Sequence, residues 1–134
     1  MSQANLDVVR DQFKAVNEGD FPRAMDHYAD DVVLVVDAHA FLESGTWTGR
    51  EAVGRWFGNW FRTFEPGYHF DIEEMRDLGE TVLLVASHHG YGRSSGARVE
   101  GRTGYVYTLR DGKVARAELY PGRAEALAAA GLDE

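Results

Sequence analysis

The run Val32-Val-Leu-Val-Val36 ends on Asp37-Ala38-His39. Five consecutive apolar residues read as a buried strand. A strand that delivers a carboxylate and an imidazole two residues apart delivers a proton-transfer pair. An aspartate titrates near ~4 in water, and burial in an apolar hollow can raise it by up to ~3–5 units, into the range of a general base. Asp37 with His39 is therefore the first catalytic candidate. A solvated strand end is the competing reading of the same residues.

Five histidines are available, His27, His39, His69, His88 and His89. None forms an HExxH motif or an i,i+4 pair, and the chain has no cysteine, so no metal centre is expected. His88 and His89 adjoin on a strand, which turns one inward and one outward. His88 is assigned to the ligand contacts on that basis. Gly90-Tyr-Gly92-Arg-Ser-Ser95 falls one glycine short of a dinucleotide fingerprint and joins two strands, so it reads as a turn. No cofactor is expected.

Composition limits the partners. The chain has 134 residues, a length suited to one domain over 1–134. With 22 acids against 14 bases the net charge is −8, which argues against nucleic acid and against an anionic membrane surface. No apolar run approaches the ~20 residues of a membrane span, and the polar N-terminus is not a leader. The lack of cysteine fits a cytoplasmic protein.

The elements that must position these residues divide the chain in two. Leu6, Val9, Phe13 and Val16 recur at helical spacing, and Asn17-Glu-Gly19 ends that helix. Asp20 caps a second helix with Pro22 in its first turn, and Ala29-Asp-Asp31 closes it. Residues 42–48 are a loop or short strand. Thr48-Gly-Arg-Glu51 has the form of a capping box. The helix it opens carries Val53, Phe57, Trp60, Phe61 and Phe64 on one stripe, with Trp56 beside it, and Pro66-Gly67 stops it. The second half reads as strands over 68–77, 80–91, 97–109 and 113–120. Asp111-Gly112 is a two-residue hairpin turn, and Asp77-Leu-Gly79 and residues 90–96 are two further reversals. A helix over 123–130 ends at Gly131. Helices followed by an antiparallel meander predict an α+β fold. In it a long, twisted sheet folded over the aromatic helix can leave a cavity, and Trp47, Trp56 and Trp60 are candidate walls of it.

This order resembles the SnoaL-like group of the nuclear-transport-factor-2-like superfamily. The resemblance rests on Val16-Asn-Glu-Gly-Asp20, Tyr28-Ala-Asp-Asp-Val32, Thr48-Gly-Arg-Glu-Ala-Val53, Leu109-Arg-Asp-Gly-Lys-Val114 and the close from Tyr120 to Leu132. It implies a cone of antiparallel sheet with an apolar pocket, often in a homodimer. The superfamily includes ketosteroid isomerases, polyketide cyclases, dehydratases and epoxide hydrolases, so fold alone does not choose a reaction.

The resemblance also assigns positions. The isomerases' base, counted without a gap, falls on Val36, one residue before Asp37. Strand alternation then turns Asp37 away from the pocket unless a bulge intervenes. The isomerases' acid on the penultimate strand falls on Tyr105, whose hydroxyl can donate the same hydrogen bond. Their first-helix tyrosine falls near Gln12, a departure from the pattern. The acid that SnoaL-type cyclases carry on the last strand points to Glu118. Alternation puts Ala115, Ala117 and Leu119 toward the pocket and Arg116, Glu118 and Tyr120 outside; a register shifted by one would bring Glu118 inside as a base. Ala117, Leu119 and Tyr107 join the expected lining.

Three functions fit. One is a cofactor-free acid–base enzyme acting on a small, mostly apolar molecule, with Asp37, His39, Glu118 or another histidine moving the proton and Tyr105 holding the oxygen. Another is a pocket that binds such a molecule without catalysis. The last is a dimeric interaction protein whose pocket is filled by its own side chains.

Overall fold

A computed structural model describes residues 3–38 and 43–132. Helix α1 (Gln3–Asn17) is followed by α2 (Phe21–Asp26), strands β1 (Tyr28–Val36) and β2 (Gly45–Thr48), and helix α3 (Arg50–Phe61). Then come β3 (His69–Asp77), β4 (Thr81–Tyr91), β5 (Arg98–Arg110), β6 (Lys113–Tyr120) and α4 (Arg123–Ala129). The fold is α+β: one six-stranded sheet, order β2-β1-β6-β5-β4-β3, with helices on its faces. Four of the strand pairs are antiparallel and β1 runs parallel to β6. Register shifts between Tyr28 and Val33, between Ile72 and Glu74, and between Thr108 and Leu109 interrupt the ladders. Irregularities of this kind bend a sheet and increase its twist, which is how the strands curve over the helices without closing.

The β-period sorts the side chains. Val32, Leu34 and Val36 of β1 face inward and are all but fully buried, as are Ala117 and Leu119, Tyr105 and Tyr107, and Val82, Leu84 and Ala86. Val9 and Phe13 of α1, with Val53 and Trp56 of α3, close over this face and make one core with it. The other face carries Leu83 and Val106, which are covered by Ala126 and Leu127 of α4. That contact requires Gly104, because a Cβ there would stand 2.5 Å from the Gly122 carbonyl oxygen and 2.6 Å from Ala126 Cβ. Helix α4 ends as the sequence predicts. The Leu132 amide donates to Leu127 O and the Gly131 amide to Ala128 O, with Gly131 at φ 77.

Asp20 caps α2, accepting from the Arg23 amide at 3.3 Å, and Asp111 and Gly112 take the positive φ values of the hairpin turn. Two boundaries differ from expectation. The capping box does not form: α3 has Gly49 at its N-cap, with φ 95, and no side chain caps it. Thr48 is instead paired with Val33 in β2, and the Gly49 amide donates to Val32 O at 2.7 Å. Helix α3 also stops at Phe61, before Phe64. Residues 92–97 fold back under its end. The Arg93 amide donates to Thr63 O, and its guanidinium donates to the carbonyls of Arg62 and Phe64 at 3.1 and 3.0 Å. Carbonyls that a longer helix would have used are thus satisfied from another element. The start of β1 at Tyr28 places Ala29-Asp-Asp31 inside the strand rather than at the end of α2.

Candidate functional site

Three helices and the inner face of β5 leave a chamber of about 140 Å3. Gln12 and Phe13 come from α1, Ala24 and Met25 from α2, and Tyr28 from the start of β1. Gly54, Phe57 and Phe61 come from α3, with Tyr105 and Tyr107 at the sheet. Two glycines of α3, Gly54 and Gly58, border it without side chains. A Cβ at Gly54 would lie 3.6 Å from Met25 Cε, taking part of the space between α2 and α3.

The walls are apolar, and the polar atoms gather at Gln12 and the tyrosines. Gln12 is 6% exposed. Its Nε2 donates to the Tyr28 hydroxyl at 2.8 Å, while its Oε1 is buried with no hydrogen-bond partner. Tyr105 and Tyr107 stack with centroids 5.7 Å apart and planes 4° apart, and Phe13 sets its edge against both. Burial pushes the phenol of Tyr28 up, against a smaller lowering by the Gln12 hydrogen bond. Burial likewise raises Tyr105 and Tyr107 well above the ordinary tyrosine value. All three hydroxyls are therefore protonated at neutral pH and able to donate. An unpaired amide oxygen in such a place costs ~1–3 kcal/mol of desolvation.

Outside the chamber lies an open recess of about 490 Å3, lined by Phe64, Pro66, Tyr68 and Arg93 among others. Chamber and recess share Val16, Phe21, Gly58 and Phe61. Phe21 and Phe61 stack between them, centroids 5.1 Å apart.

The SnoaL-like domain family matches residues 9–117, from the buried face of α1 to the middle of β6. The chain belongs to the SnoaL-like domain family. No curated protein matches it. Among solved structures it is similar to a nuclear-transport-factor-2-like protein of unknown function from Burkholderia pseudomallei, at 20% identity and TM-score 0.78, over 96% of this chain and 97% of that one. A protein of ketosteroid isomerase-like fold from Catenulispora acidiphila, solved with trimethylamine, has 21% identity and TM-score 0.74, over 94% and 93%. TerC, co-crystallised with polyporic acid, has 16% identity and TM-score 0.76, over 95% and 97%. At these identities the likeness is one of fold.

The SnoaL-like chain distributes the candidate residues unevenly. Tyr105 and Tyr107 line the chamber. Ala117 and Leu119 are their partners on β6, buried on the same face but outside the lining. Val36, where the resemblance puts the isomerases' base, is 3% exposed in the core. Asp37 follows Val36 in β1's alternation, and its amide donates to Leu119 O. Its charge is felt by Tyr120 on the far face of the sheet. Glu118 pairs in register with Val35 and Val106 on that far face, where it accepts from Arg116 Nε at 2.8 Å and from the Tyr120 hydroxyl at 2.6 Å. Burial first, then the Glu118 contact, pushes the Tyr120 phenol up to about 12. His39 lies outside the described residues.

The tryptophans stand apart from the chamber. Trp56 is buried, stacks on Trp60 at 6.4 Å and tilts against Trp47 at 5.9 Å. Trp60 Nε1 donates to the Tyr68 hydroxyl at 3.0 Å, and that hydroxyl lies 2.9 Å from His88 Nδ1. An indole N–H only donates, so Tyr68 accepts there and its own proton goes to His88 Nδ1. His88 thus serves a link between α3, the residue before β3, and β4, and does not line the chamber. Among the described residues, no group of three or more histidines, cysteines or carboxylates could hold a metal ion. No helix among them is long and apolar enough to cross a membrane.

Gln12, Tyr28, Phe21 and Met25 are chamber residues that the candidate set omits. The signal for Gln12 lies in the pattern Val9, Gln12, Phe13, Val16. These are positions i, i+3, i+4 and i+7 of one helix face, and a glutamine on an otherwise apolar stripe needs a reason.

Proposed function

We propose that this SnoaL-like protein binds a small, mostly apolar molecule through an oxygen-bearing end seated against Gln12, Tyr28, Tyr105 and Tyr107. The observation that supports the reading is the unpartnered Gln12 Oε1 in an apolar chamber. That oxygen is open to a hydrogen bond, so a guest hydroxyl meets its complement. The volume suits a single ring, since a cavity of ~150 Å3 is known to take benzene. The same hydroxyls can hold an oxygen on which negative charge develops, which is the catalytic extension of the reading. Among the described residues the lining includes no carboxylate or imidazole to take a proton, so binding is the reading put forward first.

Phenol and toluene test it, being matched in size and differing in the hydroxyl. Titration followed by calorimetry is expected to show phenol binding more tightly by about 2–10-fold, the worth of one net hydrogen bond. In Gln12→Met the preference is expected to vanish while toluene still binds. Equal affinity of the native protein for both, or binding of neither, overturns the reading.

A further inference from the structure

We infer that the stacked Phe21–Phe61 pair is a gate that sets the length of guest the chamber admits. The inference rests on the binding reading above. The partition between chamber and recess is made by Val16, Phe21, Gly58 and Phe61. Gly58 contributes no side chain to it, so the two rings are its bulk. Were they to part, about 140 Å3 inside and about 490 Å3 outside would run together as one slot floored by the tyrosines.

The two rings are held differently. Phe61 is a fixed post: it stacks on Phe57 at 6.2 Å and meets Tyr68 and Phe70 at 6.2 and 6.3 Å. Phe21 is the movable leaf. It is the first residue of a six-residue helix, it follows Gly19 at φ 77, and it remains 42% exposed. A large apolar ring left this open at the rim of an apolar chamber loses little contact by turning outward. A second ring entering along the slot would lie against Phe61 and Tyr68, the latter held flat on Phe64 at 3.9 Å. Single-ring guests fit behind the closed pair, whereas longer ones require Phe21 to leave. Phe21 is accordingly a specificity-determining residue.

The experiment compares phenol with 4-phenylphenol on the native protein and on Phe21→Ala, with affinities from calorimetry and exchange rates from NMR line shapes. Truncating so exposed a ring leaves the core intact, and the far-ultraviolet dichroism of the variant checks this. Phe21→Ala is expected to raise the affinity for 4-phenylphenol relative to phenol by about tenfold, roughly what burying part of a second ring is worth. Phenol exchange is expected to quicken, because the leaf no longer shuts behind it. If phenol binds both proteins and the 4-phenylphenol to phenol ratio and exchange rate are unchanged, the gate is overturned and the binding reading survives. If neither probe binds either protein, both fall.

Discussion

Gln12 shows what one polar side chain does in an apolar place. It meets Tyr28 through one amide atom and leaves the other without a partner, so the pair is coupled. Tyr28→Phe removes the hydroxyl that the Gln12 amide nitrogen meets and should destabilise by ~1–3 kcal/mol. Gln12→Met should do similar harm by stranding the Tyr28 hydroxyl. The double variant removes both polar partners together and should lie close to the native protein, well short of the sum of its parents. Urea unfolding of the four proteins measures it; additive losses would show that the two side chains do not act as a unit. The sequence reveals Gln12 only as a departure from a tyrosine and as a polar break in a helical stripe. Asp37 and Glu118 attract attention as carboxylates at strand ends. Which way each points depends on register with β6, and register is settled by pairing across most of the chain.

Helices α1 and α2, which form the chamber's outer wall, are clasped by charge. The Arg23 guanidinium grips Asp11 through two nitrogens, at 3.2 and 2.9 Å, and His27 Nε2 lies 2.8 Å from the same carboxylate. These hydrogen bonds, Arg23 first and then His27, hold the Asp11 carboxyl down to about 2 from 3.8. Between those values the unfolded chain binds more protons than the folded one, so stability falls as pH falls through the interval and is intact above it. The pair is exposed and screened, so the effect is modest. Asp11→Asn should flatten that part of the melting-temperature curve between pH 4 and 2 and leave the curve above pH 5 parallel to the native one. An unchanged acid limb would remove the clasp. Element types follow from periodicity here, and the strands of the second half stand within about a residue of expectation. The end of α3 and its cap do not. Gly49 is fixed by β1, and the helix terminus by Arg93, so neither signal is local.

Across the whole molecule, His88 is a histidine of the sheet that resists charge. His88 is drawn below its ordinary value by burial and, to a smaller degree, by the neighbouring charge of His89. Protonation would also give Nδ1 a hydrogen and turn the Tyr68 hydroxyl from donor to acceptor, against the bond from Trp60. A folded value below the unfolded 6.5 means the unfolded chain binds more protons as pH falls below that point. The contribution of His88 is therefore present above pH 6.5 and lost on acidification. The melting temperature should fall between pH 7 and 5, and His88→Gln, neutral at both, should show less of that fall. A native melting temperature flat over this range would refute it. The α+β class and the order of elements were open to inspection in the sequence. The lining of the hollow was not, because which side chains fill space and which leave it empty depends on contacts among four distant elements.

The parallel pairing of β1 with β6 sets an order of events during synthesis. When α1, α2 and β1 have left the ribosome, the strand that will bond to one flank of β1 lies some eighty residues downstream. Until it emerges, the row Val32, Leu34, Val36 has only the four-residue β2 beside it. Closing so long a loop is slow. The nascent first half is therefore the interval in which this chain is most open to wrong partners, and a chaperone that shields unpaired strand edges would act on it there.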